Sequence, residues 1–273
     1  MKVWLQRMQF GRNMVKNREA TLRWNDLKLC LVFLTRLPLH LDTATQNRSL
    51  AQAATLFPVV GIFVGLVGAF MLFMARTVGI PELAAAALCL TATILLTGAL
   101  HEDGLADVAD GFGGGLGKAR KLEIMRDSRI GSYGVLAIGL SLILRVTLIA
   151  GITGHLESFW ELAGVLVTMH AIGRGLLPAV MAVLPLARSN GLAVHADRPS
   201  GRKAAFAFII SLLIAVICLG PAAGISGIVT AAIAVAAMTW LARRLIGGYT
   251  GDVLGASEQI GEIVALAMIA VML

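Results

Sequence analysis

AATLFPVVGIFVGLVGAFMLFMA, residues 53–75, runs for 23 residues without a charge. An α-helix rises 1.5 Å per residue, so about 20 residues cross the roughly 30 Å of hydrocarbon in a bilayer. Comparable runs follow at 83–100, 135–154, 159–185, 204–224 and 226–242, and a shorter one at 260–273 is a marginal seventh. In lipid the backbone must satisfy its own hydrogen bonds, and the alternation of barrel strands is missing, so these runs read as helices. The expected fold is all-α, a polytopic transmembrane helix bundle of about six to seven spans.

Composition agrees. Of 273 residues, 58% are hydrophobic and 14% charged, and the mean hydropathy is +0.83. Soluble domains carry about 25% charged and about 45–50% apolar residues, and disordered chains are more polar still. The net charge of +7 does not point to nucleic acid, because its basic residues lie in short segments between apolar runs and only 6% of residues are aromatic. Cys30, Cys89 and Cys218 are far apart in apolar surroundings and read as buried structural thiols rather than a disulfide framework or a metal site.

Residues 1–26 are basic and lack an apolar core, which argues against a cleavable signal peptide. They read as a cytoplasmic N-terminal segment ahead of a single integral-membrane domain, 27–273. Residues 27–41, LKLCLVFLTRLPLHL, are short and interrupted by Arg36 and Pro38, so they read as interfacial or re-entrant. With the N-terminus in the cytoplasm and the spans alternating, segments 1–52, 101–134, 186–203 and 243–259 hold 9, 5, 4 and 2 Lys and Arg. The opposite side holds Arg76 alone. A 20-to-1 bias orients the chain under the positive-inside rule.

The chemistry concentrates in 101–134, HEDGLADVADGFGGGLGKARKLEIMRDSRIGSYG. Asp103, Asp107 and Asp110 stand at i, i+4 and i+7, one face of a helix. Together with Glu102 and Asp127 they form an oxygen-only donor set that suits Mg²⁺, with Mn²⁺ as a substitute. The glycines of GFGGGLG, Gly113 and Gly114 among them, suggest bare backbone able to approach a phosphate. Lys118, Arg126 and Arg129 follow as cations for the same anion. Arg145 and Arg174 fall within spans, where charge needs a polar partner. They pair with acids such as Glu161 or those of the C-terminal segment, or they contact an anionic substrate. Asp252 and Glu258, in GGYTGDVLGASEQIGE (247–262), form either another wall of the site or an interhelical turn. His101 reads as a polar helix end, and His170 and His195 as structural. Arg188, with His195, is a further candidate for substrate contact.

HEDGLADVADGFGGG (101–115) followed by EIMRDSRIGSYGVLA (123–137) resembles the signature of the cobalamin-5′-phosphate synthase family, the adenosylcobinamide-GDP ribazoletransferases. TRLPL at 35–39, FPVVGIFVG at 57–65 and GGYTGDVLGA at 247–256 are similar to the family's pattern in the same order. Glu102 departs from it, standing where many members have an apolar residue. The resemblance implies an Mg²⁺-using enzyme of the bacterial inner membrane with its active site facing the cytoplasm. Such enzymes join adenosylcobinamide-GDP to α-ribazole or α-ribazole 5′-phosphate and release GMP. It implies catalytic and metal roles for Asp103, Asp107, Asp110 and Asp127. The lipid bilayer is the expected surrounding, nucleic acid is not an expected partner, and a homo-oligomer is compatible with the pattern. Two rival readings are a CDP-alcohol phosphotransferase of phospholipid synthesis, whose D-x-x-D-G-x-x-A-R pattern the chain lacks, and a divalent-cation transporter.

The charge count yields a direct test of orientation. A cysteine at Ser132, in a background without the three native thiols, is expected to resist impermeant reagents in intact cells and to react in inverted vesicles. Labelling from outside would overturn the topology.

Overall fold

The computed structural model describes residues 24–46, 48–188 and 196–273. His195 and residues 1–23 of the N-terminal segment lie outside them. The described residues form helices: α1 (Trp24–Leu34), the short α2 (Thr43–Gln46) and α3 (Leu50–Ala53), α4 (Phe57–Thr77) and α5 (Glu82–Thr97). Then come α6 (Leu100–Gly114), α7 (Lys118–Ile124), α8 (Ser132–Thr153), α9 (Phe159–Val183), α10 (Gly201–Ile246) and α11 (Gly251–Met272). Among the described residues, five segments are long and apolar enough to cross a membrane, six if the bent pair α5–α6 counts as one more. The chain is a multi-pass helical membrane protein.

The 46 residues of α10 are two helices. Gly220 takes φ 79°, ψ 168° and Pro221 follows, a pairing that ends one helix and starts the next at a residue with no amide hydrogen to lose. The chain reverses here: a Cβ on Gly224 would lie 2.7 Å from the backbone of Ala215. The two spans expected at 204–224 and 226–242 are therefore present, with their boundary at 220 instead of 225. Hydropathy cannot see it, because both limbs are apolar up to the turn.

Three further expectations are refined. Residues 27–41 do not cross: α1 has 11 residues, about 16 Å of helix, and its buried Asp26 is held by Arg48 at 2.6 Å. The marginal run 260–273 is the end of α11, a full 22-residue span, which looked short because Glu258 and Glu262 break its apolar pattern. Cys30 and Cys89 are buried, but Cys218 is exposed.

Helix α9 is the axis of the bundle, buried at nearly every position from Leu162 to Pro178. Helix α4 packs on it through Gly61 and Gly65, where a Cβ would come within 2.5 Å of the α9 backbone. Small residues substitute here for the hydrophobic driving force that lipid does not supply between helices. Outward faces are apolar, with Val135, Leu136, Leu140 and Ile143 of α8 and Ile209, Leu213 and Ile217 of α10 exposed. Trp24, Trp160 and Trp240 are exposed as well, as expected of an interfacial aromatic belt. At one end Arg76 pairs with Glu82 at 2.9 Å and donates to Leu156 O at 2.7 Å, joining the 78–81 and 154–158 turns.

At the other end, Gly98 (φ 69°) and Ala99 (φ 57°) turn the chain by 89° out of α5 into α6. Helix α6 therefore lies across the bundle end, where it crosses α11. The crossing is glycine on glycine. A Cβ on Gly104 would lie 2.8 Å from Asp252 O and 3.1 Å from Gly255 Cα. Gly104→Leu is expected to lower the melting midpoint in detergent by about 5 °C, for an overpacking cost of about 2 kcal/mol. Gly151→Leu, at a glycine with open space around it, is expected to leave it unchanged. Equal melting of the two variants would contradict the close crossing.

Candidate functional site

The face of α6 that carries Asp103, Asp107 and Asp110 looks along the bundle end, and the crossing with α11 adds Asp252 to it. Asp107 lies within the electrostatic reach of Asp103 and Asp110 on its own helix and of Asp252 across the crossing, with Arg188 as the opposing cation. Arg188 holds Asp252 at 3.2 Å, and the Thr250 hydroxyl donates to the same carboxylate at 3.0 Å. Asp252 sits in the first turn of α11, where the helix dipole favours negative charge. Arg126 also bears on Asp252. The ammonium of Lys118 stands against Gly247, just before α11. Asp103, Asp107, Asp252, Arg188 and Arg126 thus converge from four segments on one edge.

A partly enclosed cavity of about 180 Å³ opens beside them, with Asp103, Arg188 and Asp252 on its wall. A second, of about 400 Å³, lies toward the other end of the acid stripe and is lined by Asp110, Arg120, Asp127, Arg129 and Tyr133.

Several expected site residues have other work. Asp110 accepts from the backbone N–H of Gly131 at 2.7 Å and of Gly134 at 2.8 Å, so both its oxygens hold the N-terminus of α8. Asp127 is clasped by Arg129, from the backbone N–H at 3.0 Å and the guanidinium at 2.9 Å. Those bonds bring the exposed Asp127 carboxyl down to about 2. Arg129 is correspondingly engaged with its neighbour and open to solvent.

Most of the glycine-rich segment, up to Gly114, is helix rather than loop. Helix α6 continues to Gly114, and its C-terminal end presents carbonyls, the wrong polarity for an anion. Bare backbone here serves packing. A Cβ on Gly111 would meet Met125 at 2.4 Å, and one on Gly113 would meet the Tyr133 ring at 2.8 Å. The Ile124 side chain lies 3.7 Å from where a Gly114 Cβ would be. Lys121 caps the helix end, donating to Phe112 O at 2.8 Å.

Glu102, Arg145 and Arg174 belong to the interior. Arg145 pairs with Glu102 at 3.0 Å and lies 3.7 Å from Glu262. Arg174 pairs with Glu258 at 2.6 Å and with Glu262 at 2.7 Å. Glu262 also meets His170 Nδ1 at 2.5 Å. Gln259 bridges Glu258 at 3.0 Å and Glu102 at 3.3 Å, and Ser141 of α8 donates to Gln259 at 3.2 Å. Of the two readings of the intramembrane arginines, the structure shows pairing with acids, those of α6 and α11 rather than Glu161. Glu161 instead forms a capping box with Ser158. His170, Glu258 and Glu262 have the spacing of metal ligands, but the Arg174 guanidinium already supplies their cation.

Sequence reasoning named the C-terminal acids as candidate partners of the arginines, which Glu258 and Glu262 are, but not the contact of Glu262 with His170. It also left Arg188 outside the acid cluster, since nothing in the local pattern ties it to Asp252, 64 residues away.

The family model described as cobalamin-5-phosphate synthase matches residues 26–270. An adenosylcobinamide-GDP ribazoletransferase of Bradyrhizobium diazoefficiens is 44% identical over 245 residues, 90% of this chain and 93% of the relative. One of Mesorhizobium japonicum is 44% identical over 249 residues, covering 91% and 94%. One of Shewanella amazonensis is 38% identical over 241 residues, covering 86% and 91%. No solved structure matches the chain. With a model matched over nearly its whole length and relatives of this identity and coverage, the chain belongs to the cobalamin-5-phosphate synthase family.

Proposed function

We propose that the acidic edge where α6 crosses α11 is the active site at which this membrane-embedded transferase of cobalamin biosynthesis joins adenosylcobinamide-GDP to α-ribazole or its 5′-phosphate. GMP is the leaving group. The observation that carries the reading is the convergence of Asp103, Asp107 and Asp252 with Arg188 and Arg126 from separate segments. Three carboxylates grouped at a partly buried edge repel one another, and their oxygens are hard donors suited to Mg²⁺.

Asp103, Asp107 and Asp252 would share the ion with the diphosphate and water rather than close a ligand set by themselves, since their oxygens are not among those that come within 4.8 Å of one another. Mg²⁺ bound there would neutralise charge on the diphosphate and make GMP a better leaving group. Arg188 and Arg126 orient the phosphates, with Arg188 steadied by Asp252. The acceptor's ribose hydroxyl attacks the phosphorus on the corrinoid side. A new P–O bond forms there, the bridging P–O bond to GMP breaks, and the hydroxyl proton passes to a carboxylate of the cluster. Asp110 acts at one remove, by holding the start of α8 against α6. The reading sets the protein in the bacterial inner membrane with this edge on the cytoplasmic side, in keeping with the 20-to-1 charge bias.

The test is GMP release by detergent-purified protein against Mg²⁺ concentration. Asp103→Asn, Asp107→Asn and Asp252→Asn are each expected to fold normally and to lose at least about 100-fold in turnover. Part of that loss should return at high Mg²⁺ or with Mn²⁺, because mass action offsets weakened binding. Asp127→Asn is expected to stay within about threefold of wild type, since its carboxylate is satisfied by Arg129. Wild-type curves for the first three variants would refute the site.

A further inference from the structure

The cavity beside Asp103 and Asp252 has two unlike sets of lining residues. One is formed by the acids with Arg188. The other is apolar, made by Phe33 and Leu34 of α1, Leu50 of α3, Phe57 at the start of α4, and Leu177 and Met181 of α9. Such a chamber admits a ligand that is apolar at one end and carries hydroxyls or phosphate at the other.

On the function proposed above, the two substrates offer three bulky parts: a corrin macrocycle, a guanine and a dimethylbenzimidazole. The corrin is far larger than a cavity of about 180 Å³. Guanine carries donors and acceptors on both edges, which an aliphatic and aromatic wall would leave unpaired. The dimethylbenzimidazole is flat, two rings wide and apolar except for one ring nitrogen free to accept a hydrogen bond. The chamber also has an imidazole on its wall, besides Asp103, Arg188 and Asp252. His101 lies on its wall and is buried, and its Nε2 has no hydrogen-bond partner among the described residues.

We propose that this chamber is the acceptor-base subsite: it takes the apolar aromatic base of the incoming riboside, with His101 meeting its free ring nitrogen, and so presents the ribose hydroxyl to Asp103 and Asp252. The walls come from α1, α3, α4 and α9 and, beside the acids, from Leu100 and His101 of α6 and Leu254 of α11. Phe33, partly exposed at the chamber wall, is the position from which the subsite can be narrowed without overfilling the core.

The experiment measures GMP release with purified protein and three acceptors: the α-ribosides of 5,6-dimethylbenzimidazole, of unsubstituted benzimidazole and of adenine. Wild type is expected to show a KM about tenfold higher without the two methyl groups, the loss of their buried apolar surface, and a higher one still for adenine. Phe33→Trp is expected to raise the KM for the dimethylbenzimidazole riboside about tenfold and to leave the KM for adenosylcobinamide-GDP within twofold. Equal KM values for the three acceptors in wild type would overturn the subsite, as would a Phe33→Trp effect on the corrinoid KM alone or on both alike. The wild-type series decides the matter by itself if Phe33→Trp does not fold. Wild type that releases no GMP with any acceptor would overturn the proposed function and the subsite with it. Release without discrimination would overturn the subsite alone.

Discussion

Two arginines and three glutamates buried together between α6, α8, α9 and α11 are the constraint on which the rest of the molecule depends. Arg145, Arg174, Glu258 and Glu262 are each no more than 1% exposed. Charges so placed in a membrane bundle are tolerable only when paired and hydrogen-bonded, and removing one partner of such a set costs about 3–5 kcal/mol. The pairing also fixes register. His170 and Arg174 stand one helical turn apart on α9, and Glu258 and Glu262 one turn apart on α11, so the two helices engage as matched steps. A slip by one turn would leave a glutamate facing lipid or carbon.

From that register the edge of the bundle follows. Glu102, joined to Arg145 and Gln259, pins the first turn of α6 into the interior. Gly104 and Gly255 then let the two helices touch backbone to backbone. Asp103 and Asp107 face away from the network, and Asp252, six residues ahead of Glu258, arrives beside them. One helix thus carries a structural carboxylate at 102 and proposed reactive ones at 103 and 107, separated by the direction of their side chains. The acids proposed to face substrate depend on a charge network buried behind them.

Much of this was legible in the sequence. The spans declared themselves by length and hydropathy, and the acid stripe by its i, i+4, i+7 spacing, because both are local properties of one helix. Pairing between helices could be read only in part, as the C-terminal acids offered for the intramembrane arginines. Arg145 and Arg174 announced a need for partners, but the identity of those partners depends on how α8 and α9 dock against α11. The role of Asp110 was hidden because its acceptor oxygens meet backbone N–H groups, which every residue but proline has. GFGGG suggested a loop for a phosphate because glycine is ambiguous. The same bareness that suits an anion also lets Met125 and Tyr133 close on a helix.

The central claim is that the site lies across α6 and α11 and not at the glycine-rich segment or the Asp127 loop. It is tested most directly by Mn²⁺ binding to the purified protein without substrate, followed by electron paramagnetic resonance. The account predicts saturable binding that Mg²⁺ displaces, lost in Asp107→Asn and Asp252→Asn and retained in Asp127→Asn. Retention in Asp252→Asn together with loss in Asp127→Asn would contradict it.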